Sequence, residues 1–128
     1  MESLSSDKKR RTVEMLRQIE SAISDLELWN REIHTPDDYY VSPYGMRNLA
    51  ASCMLIEAIG ESFKQIDKIT DGRLLVMRND IPWKEVIGMR NHIAHGYFDI
   101  DGEVVFTTIK YELQKLSNAV TFFLNILE

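Results

Sequence analysis

The chain has 128 residues and a net charge of −5, from 15 basic and 20 acidic side chains, and it contains a single cysteine. This length suits a single domain over residues 1–128 that buries a core without disulfides or a structural metal. The acidic balance argues against broad, nonspecific coating of nucleic acid, and one cysteine excludes an intrachain disulfide.

The N-terminal segment Met1 to Arg11 is polar, with a basic cluster and no apolar run behind it. The apolar stretches elsewhere fall far short of a membrane span. We therefore expect a cytoplasmic protein with no membrane partner. Six basic and four acidic side chains lie between Lys64 and His95, so this segment is locally cationic although the rest of the chain is acidic.

Two long helices are predicted first, because hydrophobic residues recur every three or four positions. The first runs from about Ser6 to Ile33. The second begins at Pro43, behind the cap residue Ser42, and runs to about Ile69. Its buried stripe comprises Met46, Leu49, Ala50, Cys53, Gly60 and Phe63. Cys53 is expected to be a small buried hydrophobe rather than a nucleophile, and Glu57 falls inside the same stripe.

A short helical turn is expected from Arg73 to Arg78, and a third helix from about Pro82 to His95, closed by Gly96. On an unbroken helix, Arg90 lies near the middle of the apolar face. That face consists of Trp83, Val86, Ile87, Ile93, Ala94 and Tyr97. Because a buried guanidinium needs an acidic partner, we expect Arg90 and the supporting residue Glu57 to meet, or to line one polar cleft.

His95 and Asn91 share the opposite face of this helix, roughly 140° from Arg90 by helical arithmetic. One straight helix cannot direct Arg90 and His95 at one atom from one side. Either the last turn loosens at Gly96, or the helix lies between its own bundle and a second copy of the chain. The homodimer is the favoured explanation.

A last helix is predicted after Asp101, which suits an N-terminal cap. Its apolar residues follow a nearly seven-residue repeat. They are Val105, Ile109, Leu116, Val120, Phe123 and Leu127. With four helices and no convincing strand, the sequence predicts an all-α fold, an antiparallel up-and-down four-helix bundle with a short third helix.

The third helix carries residue types that suit several chemistries. His92 and His95 could both ligate a metal, with Asp99 or Asp101 joining, but no established zinc pattern supports such a site, so we expect no metal and no cofactor. No nucleophile elbow is present either. Arginine with histidine fits RNA phosphodiester cleavage, because imidazole moves protons near neutral pH while guanidinium holds developing charge on phosphate.

A purely structural explanation of the same residues stays open. In that case Arg90 is part of a structural ion pair, His95 caps the helix end and His92 is exposed to solvent. Spacing alone favours this structural explanation over catalysis, since structural ion pairs also place charges in unusual positions.

The third helix also resembles a known signature. Arg90, four intervening residues, His95, Gly96 and Tyr97 are similar to the Arg-x4-His-x-Tyr motif of the HEPN superfamily, specifically its HepT-like toxins. The similarity extends to Ile81-Pro82-Trp83, to Gly88 ahead of Met89-Arg90-Asn91, and to Ile56 through Glu61, and it covers roughly residues 45–116.

This resemblance implies a homodimeric, all-helical ribonuclease that needs no metal and whose active site forms from both copies. Arg90 would bind and stabilise the scissile phosphate, His95 would act as general acid or base, and Asn91 would orient or contact the RNA. Tyr97 resembles the tyrosine that a minimal nucleotidyltransferase antitoxin modifies with AMP, which would silence the toxin. No DNA substrate is expected.

Two points accompany the resemblance. HEPN domains also act as non-catalytic binding or scaffold modules beside nucleotidyltransferases, so this alternative is retained. The loop from Thr35 to Ser42, with the acidic segment Asp37 to Tyr40, is longer and more acidic than the family pattern, and it is interpreted as restricting the substrate or serving the partner.

Overall fold

The structure is a computed structural model that describes residues 4–128. Its α-helices are α1 (Ser6–Trp29), α2 (Pro43–Ile69), α3 (Trp83–Ile87), α4 (Arg90–Ile93), α5 (Gly102–Thr107) and α6 (Leu113–Leu127). Two 3-10 helices, Pro36–Tyr39 and Leu75–Arg78, and a π-helical turn, Thr108–Glu112, lie between them. No strand occurs in these residues, apart from one isolated bridge between Ala94 and Ile100. The all-α fold class is confirmed.

Helix α1 ends at Trp29, so its predicted extension to Ile33 is wrong. The cause is Asn30, whose buried side-chain amide donates to the Leu26 carbonyl at 2.9 Å and to the Ser52 hydroxyl at 2.8 Å. The Leu26 carbonyl thus accepts from both the backbone N–H of Asn30, at 3.2 Å, and its side chain, and the bond to Ser52 ties the end of α1 to α2. The apolar stripe is buried as predicted at Leu16, Ile19, Ile23 and Leu26.

Helix α2 has the predicted bounds, and the Ser42 hydroxyl caps it by accepting from the Gly45 N–H at 3.0 Å. The start of α2 lies beside the end of α1, because the Asn48 amide donates to the Trp29 carbonyl at 2.7 Å. At the middle of α1, Arg17 makes an ion pair with Glu128. The complete up-and-down order of four helices stays a prediction, as does the homodimer.

Helix α3 is anchored in the core by Trp83. Its ring lies 4.8 Å from Phe63 and 5.9 Å from Phe123, measured between centroids. Its indole N–H donates to the Leu75 carbonyl at 2.9 Å. This bond fixes the 3-10 helix Leu75–Arg78, which lies within the short helical turn expected from Arg73 to Arg78, to Trp83. A Cβ on Gly60 would approach the backbone of α3 to 3.0 Å, so glycine lets α2 and α3 pack closely.

The last helical segment runs without interruption through α5, the π-helical turn and α6. The Asp101 carboxylate caps it as predicted, accepting from the Glu103 and Val104 N–H groups at 3.1 and 3.2 Å. Of the predicted apolar positions, Val105, Leu116, Val120, Phe123 and Leu127 are buried and Ile109 is half-buried. The π-helical turn was not predicted.

The single domain predicted for residues 1–128 stays a prediction, and its first three residues, Met1 to Ser3, lie outside the described part of the chain. Every helix within residues 4–128 is too short or too polar to cross a membrane.

Candidate active site

The predicted helix from Pro82 to His95 is wrong as a single element. The chain forms α3, stops at Gly88, and resumes as the single turn α4. Helix α4 ends at Ile93, and Ala94 is extended, with φ −156° and ψ 144°. The helical register assumed for this segment is therefore broken twice, at Gly88 and at Ala94.

Residues 94–101 form a tight loop, here called the His95 loop. The Asp101 N–H donates to the Ile93 carbonyl at 2.7 Å, and the His95 N–H donates to the Asp99 carbonyl at 3.2 Å. The tip is closed by a bond from the Asp99 N–H to the carbonyl of Gly96, whose φ is +127°. The loosening proposed at Gly96 is thus present but starts earlier, at Ala94, and it turns His95 away from the helical direction.

One cavity of about 530 Å³ brings the predicted residues together. Its walls are formed by Ala50, Cys53, Met54, Glu57, Arg90, Ala94, His95, Gly96, Tyr97 and Ile100. Arg90, His95, Tyr97 and Glu57 were predicted; Met54 and Ile100 were not. Met54 lies three residues before Glu57 on α2 and could have been found from that spacing, whereas nothing in the sequence marked Ile100.

The prediction that Arg90 faces the core is wrong, because its side chain is exposed. Within residues 4–128 it makes no ion pair with a carboxylate. Glu57 is half-buried on the wall of the same cavity. Of the two predicted arrangements, direct contact is not observed, and the structure shows the shared cleft. An exposed guanidinium needs no buried acid, so its charge is available to a phosphate.

The cavity wall behind Glu57 contains Cys53, which is 5% exposed. Its thiol donates to the Glu57 carboxylate at 3.7 Å. Burial, and after it the negative charge of Glu57, raises the pKa of Cys53 to about 11. The thiol therefore stays protonated near neutral pH, which agrees with the predicted packing role and argues against a nucleophile.

Tyr97 was placed on the buried stripe of the third helix, and that placement is wrong. Its side chain is 62% exposed, and the ring packs edge-on against Phe98 at 5.2 Å between centroids. Phe98 itself is 98% exposed. The Tyr97 phenol therefore lies on the cavity wall within reach of another molecule.

Asn91 and His92 are exposed on α4 but do not line the cavity. Asn91 is adjacent to Arg90 in sequence, so it lies beside the site without forming its wall. Helix α4 ends before His95, and the His95 imidazole makes no hydrogen bond within residues 4–128, so the capping role considered for it is not observed.

The arrangement supplies a fixed cation, an imidazole and a phenol around one open cavity. Guanidinium binds phosphate oxygens through paired N–H donors, and imidazole accepts or donates a proton near neutral pH. In residues 4–128 no group of three or more His, Cys, Asp or Glu side chains is placed to hold a metal ion.

Comparison with known proteins gives the family. The model described as ribonuclease HepT-like matches residues 14–122. A protein of Thermococcus cleftensis named probable ribonuclease HepT is 32% identical over 108 residues, which are 84% of this chain and 91% of that protein. A protein of Caldanaerobacter subterraneus named as an RNase is 30% identical over 84 residues, 66% of this chain and 69% of its own length.

A protein of Methanocaldococcus jannaschii, also named as an RNase, is 38% identical over 61 residues, 48% of this chain and 49% of its own. No solved structure matches the chain significantly. The family expected from the Arg-x4-His-x-Tyr signature is confirmed. This chain belongs to the ribonuclease HepT-like family of the HEPN superfamily.

Proposed function

We propose that the protein is an endoribonuclease toxin that cleaves RNA without a metal ion, through Arg90 and His95. The observation that carries the proposal is that both side chains are exposed on one cavity while the charge of Arg90 is not neutralised by a carboxylate of residues 4–128. Family membership supports ribonuclease activity. The metal-free mechanism rests on the chemistry of these two side chains.

In the proposed reaction the 2′-hydroxyl of the RNA attacks the adjacent phosphorus. The new 2′-O–P bond forms as the P–O bond to the 5′-oxygen breaks, giving a 2′,3′-cyclic phosphate and a 5′-hydroxyl end. Two protons move: one leaves the 2′-hydroxyl and one is delivered to the leaving 5′-oxygen. His95 makes one of these transfers, as general base or general acid, and solvent water makes the other. Arg90 stabilises the charge on the phosphate oxygens, while Asn91 orients the RNA beside it and Glu57 supports the cavity wall.

We also propose that a homodimer completes this site. Apolar side chains are exposed next to it: Met54 on the cavity wall is 70% exposed, and Phe98 in the His95 loop is 98% exposed. Exposed apolar surface beside a polar site is typical of an interaction surface. A second copy covering it would exclude water from the scissile phosphate and strengthen the charge interaction of Arg90.

Regulation by a minimal nucleotidyltransferase antitoxin is the third part of the proposal. The Tyr97 phenol is exposed on the cavity wall, so a partner enzyme can reach it. The phenol oxygen would attack the α-phosphorus of ATP, with release of pyrophosphate and of the phenolic proton. The attached AMP would add bulk and negative charge beside Arg90, and would therefore compete with the RNA phosphate.

The decisive experiment is cleavage of cellular RNA in EDTA by the purified protein and by its His95→Ala variant. His92→Ala is the matched control, because His92 is an exposed imidazole on α4 outside the cavity. Activity lost in His95→Ala and kept in His92→Ala, with cyclic phosphate ends in the product, supports the proposal. No cleavage by a folded, unmodified wild-type protein favours the non-catalytic scaffold role instead.

The antitoxin step is tested by intact mass. The wild-type protein incubated with ATP and the purified nucleotidyltransferase should gain the mass of AMP, and Tyr97→Phe should not. Modified protein should then have lost its RNA cleavage. A mass gain that persists in Tyr97→Phe would assign the modification to another residue.

A further inference from the structure

The hydroxyl of Tyr40 is bonded to the far end of the His95 loop. It accepts from the Gly102 N–H at 3.0 Å and lies 3.3 Å from the Ile100 carbonyl, to which it donates. The side chain is 52% exposed, so packing into the core does not explain a tyrosine here. Tyr40 is separated from these residues by some sixty positions of sequence and joins the acidic segment to the loop.

The two residues bonded to Tyr40, Ile100 and Gly102, lie where the His95 loop returns to the start of α5. Ile100 forms the bridge with Ala94, the residue next to His95. Gly102 is the first residue of α5, where a backbone N–H has no partner within the helix. Asp101, between them, donates its N–H to Ile93. The Tyr40 hydroxyl thus bonds the backbone on both sides of Asp101, where the His95 loop ends and α5 begins.

The segment that carries Tyr40 is held by hydrogen bonds and by one buried ring. The Asp38 carboxylate accepts from the N–H groups of His34 and Thr35 at 2.7 and 3.1 Å. The Tyr39 ring is fully buried, and its hydroxyl donates to the Asn30 side chain at 2.6 Å. The carboxylate of Asp38 therefore builds local structure.

Gly102 is matched to the tyrosine hydroxyl. A Cβ at this position would lie 2.5 Å from the Tyr40 oxygen and 3.0 Å from its ring carbon Cζ. The φ of Gly102 is not positive, so backbone conformation does not require glycine. The requirement is the close approach of Tyr40.

We propose that Tyr40 is a positioning residue for RNA cleavage, one that holds the His95 loop in the geometry that places His95 and Tyr97 on the cavity. The inference rests on the proposed ribonuclease function. On this proposal, the role of the acidic segment Asp37 to Tyr40 is to hold the His95 loop in place.

The first test compares Tyr40→Phe with Tyr44→Phe. Tyr44 is a suitable control because it lies four positions away, is 48% exposed, and its hydroxyl makes no hydrogen bond within residues 4–128. We expect kcat to fall about 10-fold in Tyr40→Phe, with KM changed little, since misplacement of a catalytic group by a fraction of an ångström has effects of this order. Tyr44→Phe should match wild type.

Amide hydrogen exchange provides a readout that does not depend on activity. In Tyr40→Phe, the N–H groups of Gly102, Asp101 and His95 should exchange faster, while those of α1 and the middle of α2 should not. A purely global loss of stability would speed exchange in all of these elements together. Unchanged exchange in the loop together with unchanged kcat would overturn the proposal.

A second variant tests the pairing directly. Gly102→Ala should displace the Tyr40 ring and lower kcat. The same substitution in the Tyr40→Phe background should cost less, because the closest contact of the new Cβ is the missing oxygen. Additive losses would contradict the pairing. If the wild-type protein cleaves no RNA, the proposed function fails, and the exchange data still decide whether Tyr40 holds the loop.

Discussion

In the proposed reaction, Arg90 acts on the phosphate from an exposed position on α4, through the geometry of its guanidinium. A guanidinium presents two parallel N–H donors to a phosphate, which an ammonium cannot do. Because Arg90 makes no ion pair within residues 4–128, replacing it removes no structural bond to a carboxylate. Effects on catalysis and on stability should therefore separate at this residue.

We predict that Arg90→Lys lowers kcat/KM for RNA cleavage by about 10- to 100-fold, since a charge of the same sign remains but the paired donors are lost. The free energy of unfolding should change by less than about 0.5 kcal/mol, as for other exposed substitutions. Steady-state kinetics and urea unfolding of the same preparations measure both quantities. A large loss of stability would show that Arg90 is a structural residue.

Cys53 predicts a pH effect on stability. Its folded-state pKa of about 11 is above the ordinary value of 9.0, so the folded chain holds this proton more tightly than the unfolded chain. The stabilisation is complete below about pH 9 and is lost as pH rises towards about 11. Between these limits, the wild type should lose roughly 1 to 3 kcal/mol more stability than Cys53→Ala, measured by urea unfolding. If the free energy of unfolding of wild type and of Cys53→Ala changes with pH in the same way, the raised pKa of Cys53 is contradicted.

At the scale of elements, the side-chain amide of Asn30 connects α1, the 3-10 helix Pro36–Tyr39 and α2. Asn30 bonds Leu26, Ser52 and Tyr39 from a buried position. Removing the amide leaves the Tyr39 hydroxyl buried without its acceptor, which costs more than the loss of one exposed bond.

We predict that Asn30→Ala destabilises the fold by about 2 to 4 kcal/mol in urea unfolding. Tyr39→Phe should cost less, and the double variant should cost clearly less than the sum, because the hydroxyl is then no longer left without an acceptor. If the two losses of stability are additive, the hydrogen bond from Tyr39 to Asn30 contributes little to holding these elements together.

The sequence predicted the long elements well and the short ones poorly. Helix α2, the Asp101 cap and the buried positions of the last helix follow from periodicity and capping chemistry, which act locally. Arg90 was predicted to face the core because a single helical register was assumed from Pro82 to His95, although the helix is interrupted at Gly88 and at Ala94. Gly88 in a helix interior was a usable warning, but the extended conformation of Ala94 depends on its pairing with Ile100, a contact that no local pattern shows.

At the scale of the whole molecule, the exposed apolar surface at the cavity leads to a prediction about the homodimer. If a second copy packs against Met54, Met54→Glu should raise the dimer dissociation constant at least about 10-fold, because an unpaired carboxylate would be buried. Met77→Glu is the control, since Met77 is 47% exposed and lies outside the cavity wall. Light scattering over a dilution series measures the constant. Equal behaviour of both variants would remove this surface from the dimer.

The π-helical turn Thr108–Glu112 changes how this chain must be compared with its relatives. It places one extra residue within the last helical segment, so that Val105 and Leu113, on either side of it, are both buried. A relative with an unbroken α-helix will align to this chain with a gap of one position here. Closing that gap would assign every buried residue of α6 to the wrong face, from Leu113 to Leu127.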